Sequence, residues 1–212
     1  LQKNSIPLES VMSKVWNDKI FKHIQTHADA SSKKLSDERG ACPDAEEYGF
    51  KERFSNKTAI APTASISIIC GGASPGVEPV AANSYTHKTL SGSYNVRNRY
   101  LKEVLEKYEK NDEKTWSSIT TNQGSVAHLD FLNQNEKDVF KTAFELDQRW
   151  IVELGADRTP YISQAQSINI FLPADVHKKD LHQIHFQAWK KGLKSLYYCR
   201  SKSIQRAENI ND

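Results

Sequence analysis

Apolar residues recur at helical spacing in several stretches of this chain, separated by polar and turn-forming residues. The predicted helices run from Asp18 to Arg39 with Gly40 as the stop, from Asn98 to Lys110, from Glu136 to Leu154 after an N-cap at Asn135, and from Asp180 to Lys191 before Gly192. The third carries the longest apolar stripe, so we expect one of its faces to be buried. Helices therefore dominate the predicted structure.

Short apolar segments beside these helices predict strands. They run from Thr58 to Ala61, from Ser167 to Leu172 and from Ser195 to Cys199. Strands that alternate with helices usually pair in parallel through right-handed crossovers, which indicates the α/β class and a single region over residues 1–212. Three strands leave open edges that a stable domain must pair or cover. The polar stretches 111–114 and 120–125 are predicted to be loops.

Composition limits the function without defining it. The chain of 212 residues has a formal net charge of +3 and 26% charged residues, which argues against a dedicated nucleic-acid module. No apolar run is long enough to span a membrane, and no signal peptide opens the chain. Cys42, Cys70 and Cys199 form no disulfide framework, which suits free thiols in a reducing cytosol. We therefore expect a cytoplasmic protein without membrane or nucleic-acid partners.

The stretch after the first predicted strand is a candidate anion site. Pro62 closes that strand, and Thr63, Ala64, Ser65 and Ile66 follow it. If a helix begins there, its unpaired N–H groups and positive dipole end favour an anion such as a phosphate. An ordinary Ser/Thr helix cap is the commoner meaning of such a stretch. The glycine-rich turn at 71–76 lacks the spacings of the dinucleotide-binding and Walker A motifs.

Two adjacent tyrosines, Tyr197 and Tyr198, are the second candidate. Phenols are among the few side chains that can lose one electron and then be restored, and each loses its proton as its electron leaves. A relay of phenols needs hydroxyl groups within hydrogen-bond reach, which adjacent residues can supply. The alternative is a strand with one buried ring and one exposed ring.

Other candidate groups have structural explanations beside functional ones. His182 and His185 share a helix face with His177 nearby, but no carboxylate or cysteine completes a ligand set, so we expect no metal site. Cys199 is predicted to be a small core residue. A further set of polar residues either lines a site or forms hydrogen bonds at the start of a strand: Asp157, Arg158 and Gln164–Ser167.

Several short motifs occur in a fixed order before the tyrosine pair: Ala61–Ser65 (APTAS), Gly76–Pro79 (GVEP), Tyr85–Gly92 (YTHKTLSG), Gln164–Ile170 (QAQSINI) and His185–Lys194 (HFQAWKKGLK). In this order they resemble the large (alpha) subunit of class I ribonucleotide reductase. The resemblance extends upstream to Leu1–Pro7 and Asp37–Pro43 and covers nearly the whole chain. Each motif is weak by itself, whereas the ordered set is specific. The chain is therefore similar to the C-terminal portion of such a subunit.

The resemblance implies a fold that this chain only partly supplies. The family fold is a ten-stranded α/β barrel built of two half-barrels. This chain would contribute the last strands and their helices, and it would be incomplete without an N-terminal segment or chain of the large subunit.

The resemblance also implies a chemistry, the radical reduction of the ribose 2′-hydroxyl that converts ribonucleotides to deoxyribonucleotides. Thr63, Ala64, Ser65 and Ile66 would hold the substrate phosphates. Tyr198 would receive the radical from the small (beta) subunit, and Tyr197 would pass it to a cysteine. Glu78 lies in a motif that borders the site, without an assigned role.

The same resemblance implies the cofactors and partners of the assembled enzyme. The metal–radical cofactor would reside on the small subunit, and this chain would bind none. A thioredoxin or glutaredoxin-type protein would be the reductant of the holoenzyme. A basic run has three interpretations, a contact with nucleic acid, a solvated rim, which we expect, or attraction of an acidic tail of the small subunit: Lys190, Lys191, Lys194, Arg200, Lys202 and Arg206.

The chain also departs from the family pattern. The radical-forming cysteine, the two cysteines that form a disulfide during turnover and the C-terminal Cys-x-x-Cys tail have no counterparts among the cysteines of this sequence. We therefore expect the isolated chain not to turn over substrate. Two alternatives stay open at this point. A cobalamin-dependent reductase shares a Pro-Thr-x-Ser loop but has no use for a tyrosine relay, and a non-catalytic scaffold or nucleotide-binding module of the same fold needs no cysteine.

Overall fold

The computed structural model describes residues 1–89 and 92–201, and helices dominate this part of the chain. The helices are α1 (Val11–Arg39), α2 (Pro43–Glu47), α3 (Ala64–Ile69), α4 (Arg99–Lys107), α5 (Glu113–Thr121), α6 (Gln134–Val139), α7 (Gln148–Arg158) and α8 (Lys178–Lys190). Short 3-10 helices cover Gln2–Asn4 and Thr159–Tyr161. The strands are β1 (Ser84–Thr89), β2 (Gly92–Arg97), β3 (Ile170–Leu172) and β4 (Cys199–Ser201).

The strands form two separate pairs. β1 and β2 are antiparallel, with Ser84 opposite Arg97. β3 and β4 are parallel on either side of α8, with Ile170 opposite Cys199. An isolated parallel bridge joins Ile60 to Gln166. The predicted helix-rich character and parallel pairing are therefore confirmed, but within residues 1–89 and 92–201 the strands do not close a barrel. The ten-stranded barrel stays a prediction.

Two hydrophobic clusters hold these elements together. In the first, α7 and α8 pack on β3, and Val152, Ile168 and Ile170 are almost completely buried. In the second, Leu101 and Leu105 of α4 face Trp116 of α5. The i, i+4 spacing places both leucines on one helix face. Burial of each such side chain contributes about 1.5–3 kcal/mol to folding.

The predicted continuous helix from Glu136 to Leu154 is wrong, because α6 ends at Val139 and α7 begins only at Gln148. Backbone donors in between bond outside a helical pattern. The Thr142 N–H donates to Glu145 Oε2 at 2.8 Å, and the Ala143 N–H donates to Val80 O at 3.0 Å. The Asp147 side chain then caps α7. Helix α6 starts after Asn133 rather than after the predicted N-cap Asn135, and Asn133 forms a capping box with Glu136.

Other sequence predictions need smaller corrections. β4 begins at Cys199, so the strand predicted for 195–199 starts later and leaves both tyrosines before it. The predicted strand 58–61 amounts to the single bridge at Ile60. The loops predicted at 111–114 and 120–125 are partly wrong, because α5 begins within the first and ends within the second. Asp112 accepts from the Thr115 N–H and caps this helix. The prediction of a core position for Cys199 is wrong, since this residue is exposed.

Helix α1 places polar residues toward the body of the protein and apolar residues outward. Ser13, Asn17, Ser32 and Ser36 are its buried residues, and the Asn17 amide donates to Leu154 O at 2.9 Å. Its large exposed apolar side chains are Val11, Met12, Val15, Trp16, Ile20 and Ile24. None of the described helices combines the length and the apolar character that a membrane crossing requires.

Candidate functional site

A cavity of about 680 Å³ lies beside the start of α3. Its wall combines Ala64 and Ser65 with the turn that runs from Gly72 to Val80. The structure therefore brings two of the four residues predicted to bind phosphate into a cavity wall. The other two, Thr63 and Ile66, lie next to them but do not line it, and the Ile66 side chain is 56% exposed.

The start of α3 presents backbone donors rather than a closed cap. Thr63 is the N-cap residue, and its side chain makes no capping hydrogen bond. The N–H groups in the first turn of a helix have no acceptor within that helix, and the dipole adds a partial positive charge there. The buried Ser67 hydroxyl donates to Ala64 O at 2.7 Å and is thus directed into the helix. An anion near Ala64 and Ser65 would meet backbone donors first.

Cationic and amide groups from distant segments complete the cavity wall. Lys3, Arg97 and Asn98 line it. Arg97 pairs with Glu113 at 2.6 Å, so part of its charge is already compensated. The Asn98 amide donates to the Gln2 side-chain oxygen at 3.0 Å and fixes the N-terminal segment against the end of the hairpin. Sequence reasoning missed these residues because no local motif marks them.

Glu78 is a buried carboxylate in the same wall, with 4% of the residue exposed. Its Oε1 accepts the Asn169 N–H at 2.5 Å, and its Oε2 accepts the Asn169 side-chain amide at 3.3 Å. Gly76 makes room for this arrangement, because an added Cβ there would lie 2.4 Å from Glu78 Oε2. The motif around Glu78 is thus built to fold its carboxylate back onto Asn169.

The two tyrosine rings lie together, with centroids 4.1 Å apart and planes inclined by 50°. Both are exposed, Tyr197 by 46% and Tyr198 by 53%, so the alternative of one buried and one exposed ring is wrong. A hydrogen bond with the Tyr198 phenol, followed by partial desolvation, raises the pKa of Tyr197 above its usual value. The Arg200 guanidinium lies 5.4 Å from the Tyr198 ring centroid. The structure therefore places the two phenol rings in direct contact with each other.

Backbone bonds fix the tyrosines to the segment before β3. The Tyr197 N–H donates to Ile168 O at 2.7 Å, and the Ile170 N–H donates to Tyr198 O at 2.9 Å. Tyr197 also lines a second cavity of about 450 Å³ with Ile60 and Gln166. Asn169, which bonds to Glu78, lies between the two residues that hold the tyrosines. The cavity wall and the tyrosine pair are thus parts of one hydrogen-bonded scaffold.

Arg158 is the buried cation of this scaffold, with 5% of the residue exposed. Burial lowers the pKa of its guanidinium to about 10, although the negative charges of Glu78 and Asp157 oppose this shift. Its Nε donates to Gln166 Oε1 at 2.6 Å, and its Nη1 donates to Asn17 Oδ1 at 3.1 Å. These bonds tie α1 and α7 to the residues before β3, which supports the structural explanation for Arg158 and Gln166.

The histidines near α8 have local roles. His177 caps α8 and accepts from the Lys179 N–H at 3.1 Å. His182 stacks on Phe186, and the ring of His185 bonds to Leu181 O at 2.8 Å. Within residues 1–89 and 92–201, no group of three or more His, Cys, Asp or Glu side chains is arranged to hold a metal ion.

The predicted basic run divides among separate contacts. Lys191 pairs with Glu153 at 2.8 Å, and the Lys194 ammonium donates to Ser163 O at 2.7 Å. The Arg200 guanidinium lies over the Tyr198 ring. Lys202 and Arg206 lie outside the described residues.

Comparisons with known proteins agree with the motif order. A family model described as the barrel domain of ribonucleotide reductase matches residues 44–199. The chain is 46% identical over 215 aligned residues to the ribonucleoside-diphosphate reductase large subunit of Invertebrate iridescent virus 6, covering 100% of this chain and 22% of that protein. It is 38% identical over 156 residues to the ribonucleoside-diphosphate reductase large chain 2 of Saccharomyces cerevisiae, covering 73% of this chain and 18% of that one.

Among solved structures, the alpha subunit of a class Id ribonucleotide reductase from Actinobacillus ureae superimposes with a TM-score of 0.88 at 36% identity. The match covers 96% of this chain and 37% of that subunit. The chain thus spans well under half the length of each of these relatives.

Proposed function

The chain belongs to the ribonucleotide reductase barrel-domain family, and we propose that it works as part of the large subunit of a class I ribonucleoside-diphosphate reductase. In this role it contributes the substrate phosphate-binding loop and the radical-transfer tyrosines for the conversion of ribonucleotides to deoxyribonucleotides. The observation that carries the proposal is the contact between the Tyr197 and Tyr198 rings, 4.1 Å apart, on a scaffold shared with the cavity beside α3.

The substrate phosphates bind at the start of α3 in this proposal. Thr63, Ala64, Ser65 and Ile66 surround the helix start, where backbone N–H groups and the dipole favour anions. The ribose and base then extend into the adjoining cavity of about 680 Å³. Lys3 adds positive charge to that cavity wall.

Radical transfer proceeds by steps that each move one electron and one proton. The radical of the small subunit takes an electron from Tyr198, whose phenol loses its proton at the same time. The Tyr198 phenoxyl radical then takes an electron and a proton from Tyr197 and returns to the phenol. The Tyr197 radical finally takes a hydrogen atom from a thiol, leaving a thiyl radical. The contact between the two rings, with centroids 4.1 Å apart, favours direct transfer of the electron and the proton in the middle step.

The thiols come from the remaining part of the large subunit. The thiyl radical abstracts a substrate hydrogen, and the 2′-hydroxyl leaves as water. A dithiol supplies two electrons and two protons and becomes a disulfide, and the abstracted hydrogen returns to the substrate, which restores the thiyl radical. A thioredoxin or glutaredoxin-type protein reduces that disulfide again. The metal–radical cofactor is assigned to the small subunit, and this chain is assigned none.

The outward apolar face of α1 is the surface that we assign to the remaining large-subunit polypeptide. Trp16 and Ile20 are 38% and 45% exposed on this face, while small polar residues of α1 face the body. Exposed apolar patches of this kind mark contact surfaces. Because relatives are several times longer than this chain, the rest of their subunit is the natural occupant.

Replacing each phenol by a ring without a hydroxyl tests the relay. Tyr197→Phe or Tyr198→Phe in the assembled enzyme is expected to abolish deoxyribonucleotide formation while nucleotide affinity stays nearly unchanged. Tyr48→Phe, at a tyrosine that is 71% exposed, serves as the matched control and should keep wild-type turnover. A large loss of nucleotide affinity in either test variant would show that the rings serve binding or packing instead.

A non-catalytic scaffold and a cobalamin-dependent reductase are less well supported. The relatives named above are reductase large chains and an alpha subunit of a class I enzyme. Neither alternative explains why two exposed phenol rings lie in contact.

A further inference from the structure

The Glu78 carboxylate takes the place of a missing strand beside β3. Successive N–H groups along a strand point to opposite sides. The Ile170 N–H points toward the segment that leads into β4, so the Asn169 N–H points away from it and donates to Glu78 Oε1 at 2.5 Å. Farther along the same side, the Phe171 N–H donates to the Gln148 side-chain oxygen at 2.8 Å. In a regular parallel sheet the backbone of a neighbouring strand supplies such acceptors. Here two side chains supply them, and only Glu78 also belongs to the cavity wall.

The cavity side of this link also has hydrogen bonds of its own. The Ser74 hydroxyl donates to Glu78 O and closes the turn. The Thr63 N–H donates to Pro75 O at 3.4 Å, which joins this turn to the N-cap of α3. A displacement at the start of α3 therefore reaches the Glu78 carboxylate through the turn itself.

We propose that Glu78 is a positioning residue that couples occupancy of the cavity to the placement of the Tyr197–Tyr198 pair. The inference rests on the proposed function and adds a role to a residue that the family resemblance left unassigned. Glu78 touches neither phenol and transfers no atom. It acts through Asn169, whose two neighbours hold the backbone of both tyrosines, and a nucleotide that orders the turn thereby orders the relay.

The test measures coupling rather than turnover. In the assembled enzyme, with a full-length large subunit and the radical-bearing small subunit, Tyr198 is replaced by 3-aminotyrosine, a phenol that is easier to oxidise and therefore traps the radical. The small-subunit radical is the oxidant, and the trap loses one electron and one proton. The coupling ratio is the rate of trap oxidation with saturating ADP divided by the rate without it. Nucleotide affinity is measured separately by calorimetry.

Glu78→Ala is expected to lower the coupling ratio at least about tenfold, because a charged acceptor of two hydrogen bonds is lost. ADP affinity should change less than about threefold, since both Glu78 oxygens accept from Asn169 and the phosphates bind at the start of α3 in the proposed function. Gln148→Leu is the matched control: it removes the other side-chain acceptor on the same strand side, together with the amide bonds from Gln148 to Ala143 O and Leu146 O, and Gln148 itself does not line the cavity. Its coupling ratio should equal that of the wild type.

Two further variants keep the test decisive. Glu78→Gln should retain coupling, because the Asn169 side chain can rotate and offer its oxygen, which has no partner now, to the new amide. If Glu78→Ala fails to assemble, Glu78→Asp is used in its place. The aspartate side chain is one methylene shorter, so its carboxylate cannot keep both bonds to Asn169. The coupling ratio should still fall at least about threefold.

A wild-type coupling ratio in Glu78→Ala or Glu78→Asp, or an equal loss in Gln148→Leu, would overturn the inference. These outcomes leave the proposed function standing. If the trap at position 198 is not oxidised even in the wild-type background, the proposed function fails instead.

Discussion

Replacing Gly124 by alanine adds one methyl group and tests how tightly the residues behind the cavity wall are packed. Its φ is +82°, and an added Cβ would lie 2.3 Å from Ala82 Cβ and 2.8 Å from the Asn83 backbone nitrogen. A short side chain and a backbone atom cannot rotate away. Gly124 O also accepts from the Asn83 N–H at 3.1 Å, and Asn83 Oδ1 accepts from the cavity residue Asn98 at 2.8 Å.

The structure sets the magnitude expected for Gly124→Ala. A left-handed backbone costs an alanine about 1–2 kcal/mol. Overpacking against Ala82 and Asn83 adds about 1–3 kcal/mol, and a weakened Asn83 hydrogen bond adds about 0.5–1.5 kcal/mol. The free energy of unfolding should therefore fall by about 2.5–6.5 kcal/mol. Gly49→Ala is the matched control, because Gly49 has a φ of +73° and no atom within 4 Å of an added Cβ.

Urea-induced unfolding of the purified chain, followed by circular dichroism, measures both variants. Gly49→Ala should lose only about 1–2 kcal/mol, the cost of the backbone conformation. An equal loss in Gly124→Ala and Gly49→Ala would refute the packing argument, because an added Cβ clashes at Gly124 and meets no atom at Gly49.

The remaining predictions concern charge and hydrogen bonding. Arg158→Met should lower the free energy of unfolding by about 2–4 kcal/mol in urea titrations, because it leaves two buried amide oxygens without a donor. Hydrogen bonding to Arg149 lowers the pKa of Asp147. The ionised Asp147 carboxylate therefore stabilises the fold above the unfolded pKa of 3.8, and this stabilisation is lost as pH falls through the folded pKa. The difference in unfolding free energy between wild type and Asp147→Asn should shrink over that pH range. Tyr198→Phe should bring the pKa of Tyr197 back toward 10, measured by the phenolate absorbance of that tyrosine in a difference titration.

Local sequence patterns predicted the helices that have one apolar face and a good cap. The helix predicted over 98–110 appears as α4 with Asn98 as its cap, and the helix predicted over 180–191 appears as α8. The long helix predicted over 136–154 failed because the apolar stripe continues through two separate helices. The bond from Ala143 to Val80 that interrupts it joins residues far apart in the chain, and no local pattern contains that information.

The candidate site was predicted in part for the same reason. The motifs marked Ser65 and the tyrosine pair because each is encoded by adjacent residues. Arg97 at the end of β2 was missed, since the described residues of β2 are mostly exposed and show no alternation of apolar and polar positions. Lys3 reaches the cavity wall only through the fold. The link between Glu78 and Asn169 likewise depends on residues 91 positions apart.

Reconstitution from separate parts tests the central claim most directly. This chain, a segment that supplies the rest of the large subunit and a radical-bearing small subunit are mixed in every combination, and deoxyribonucleotide formation is measured by chromatography. Product should form only in the complete mixture, and it should disappear when the chain carries Tyr198→Phe. Product from this chain alone, or undiminished product with Tyr198→Phe, would contradict the account.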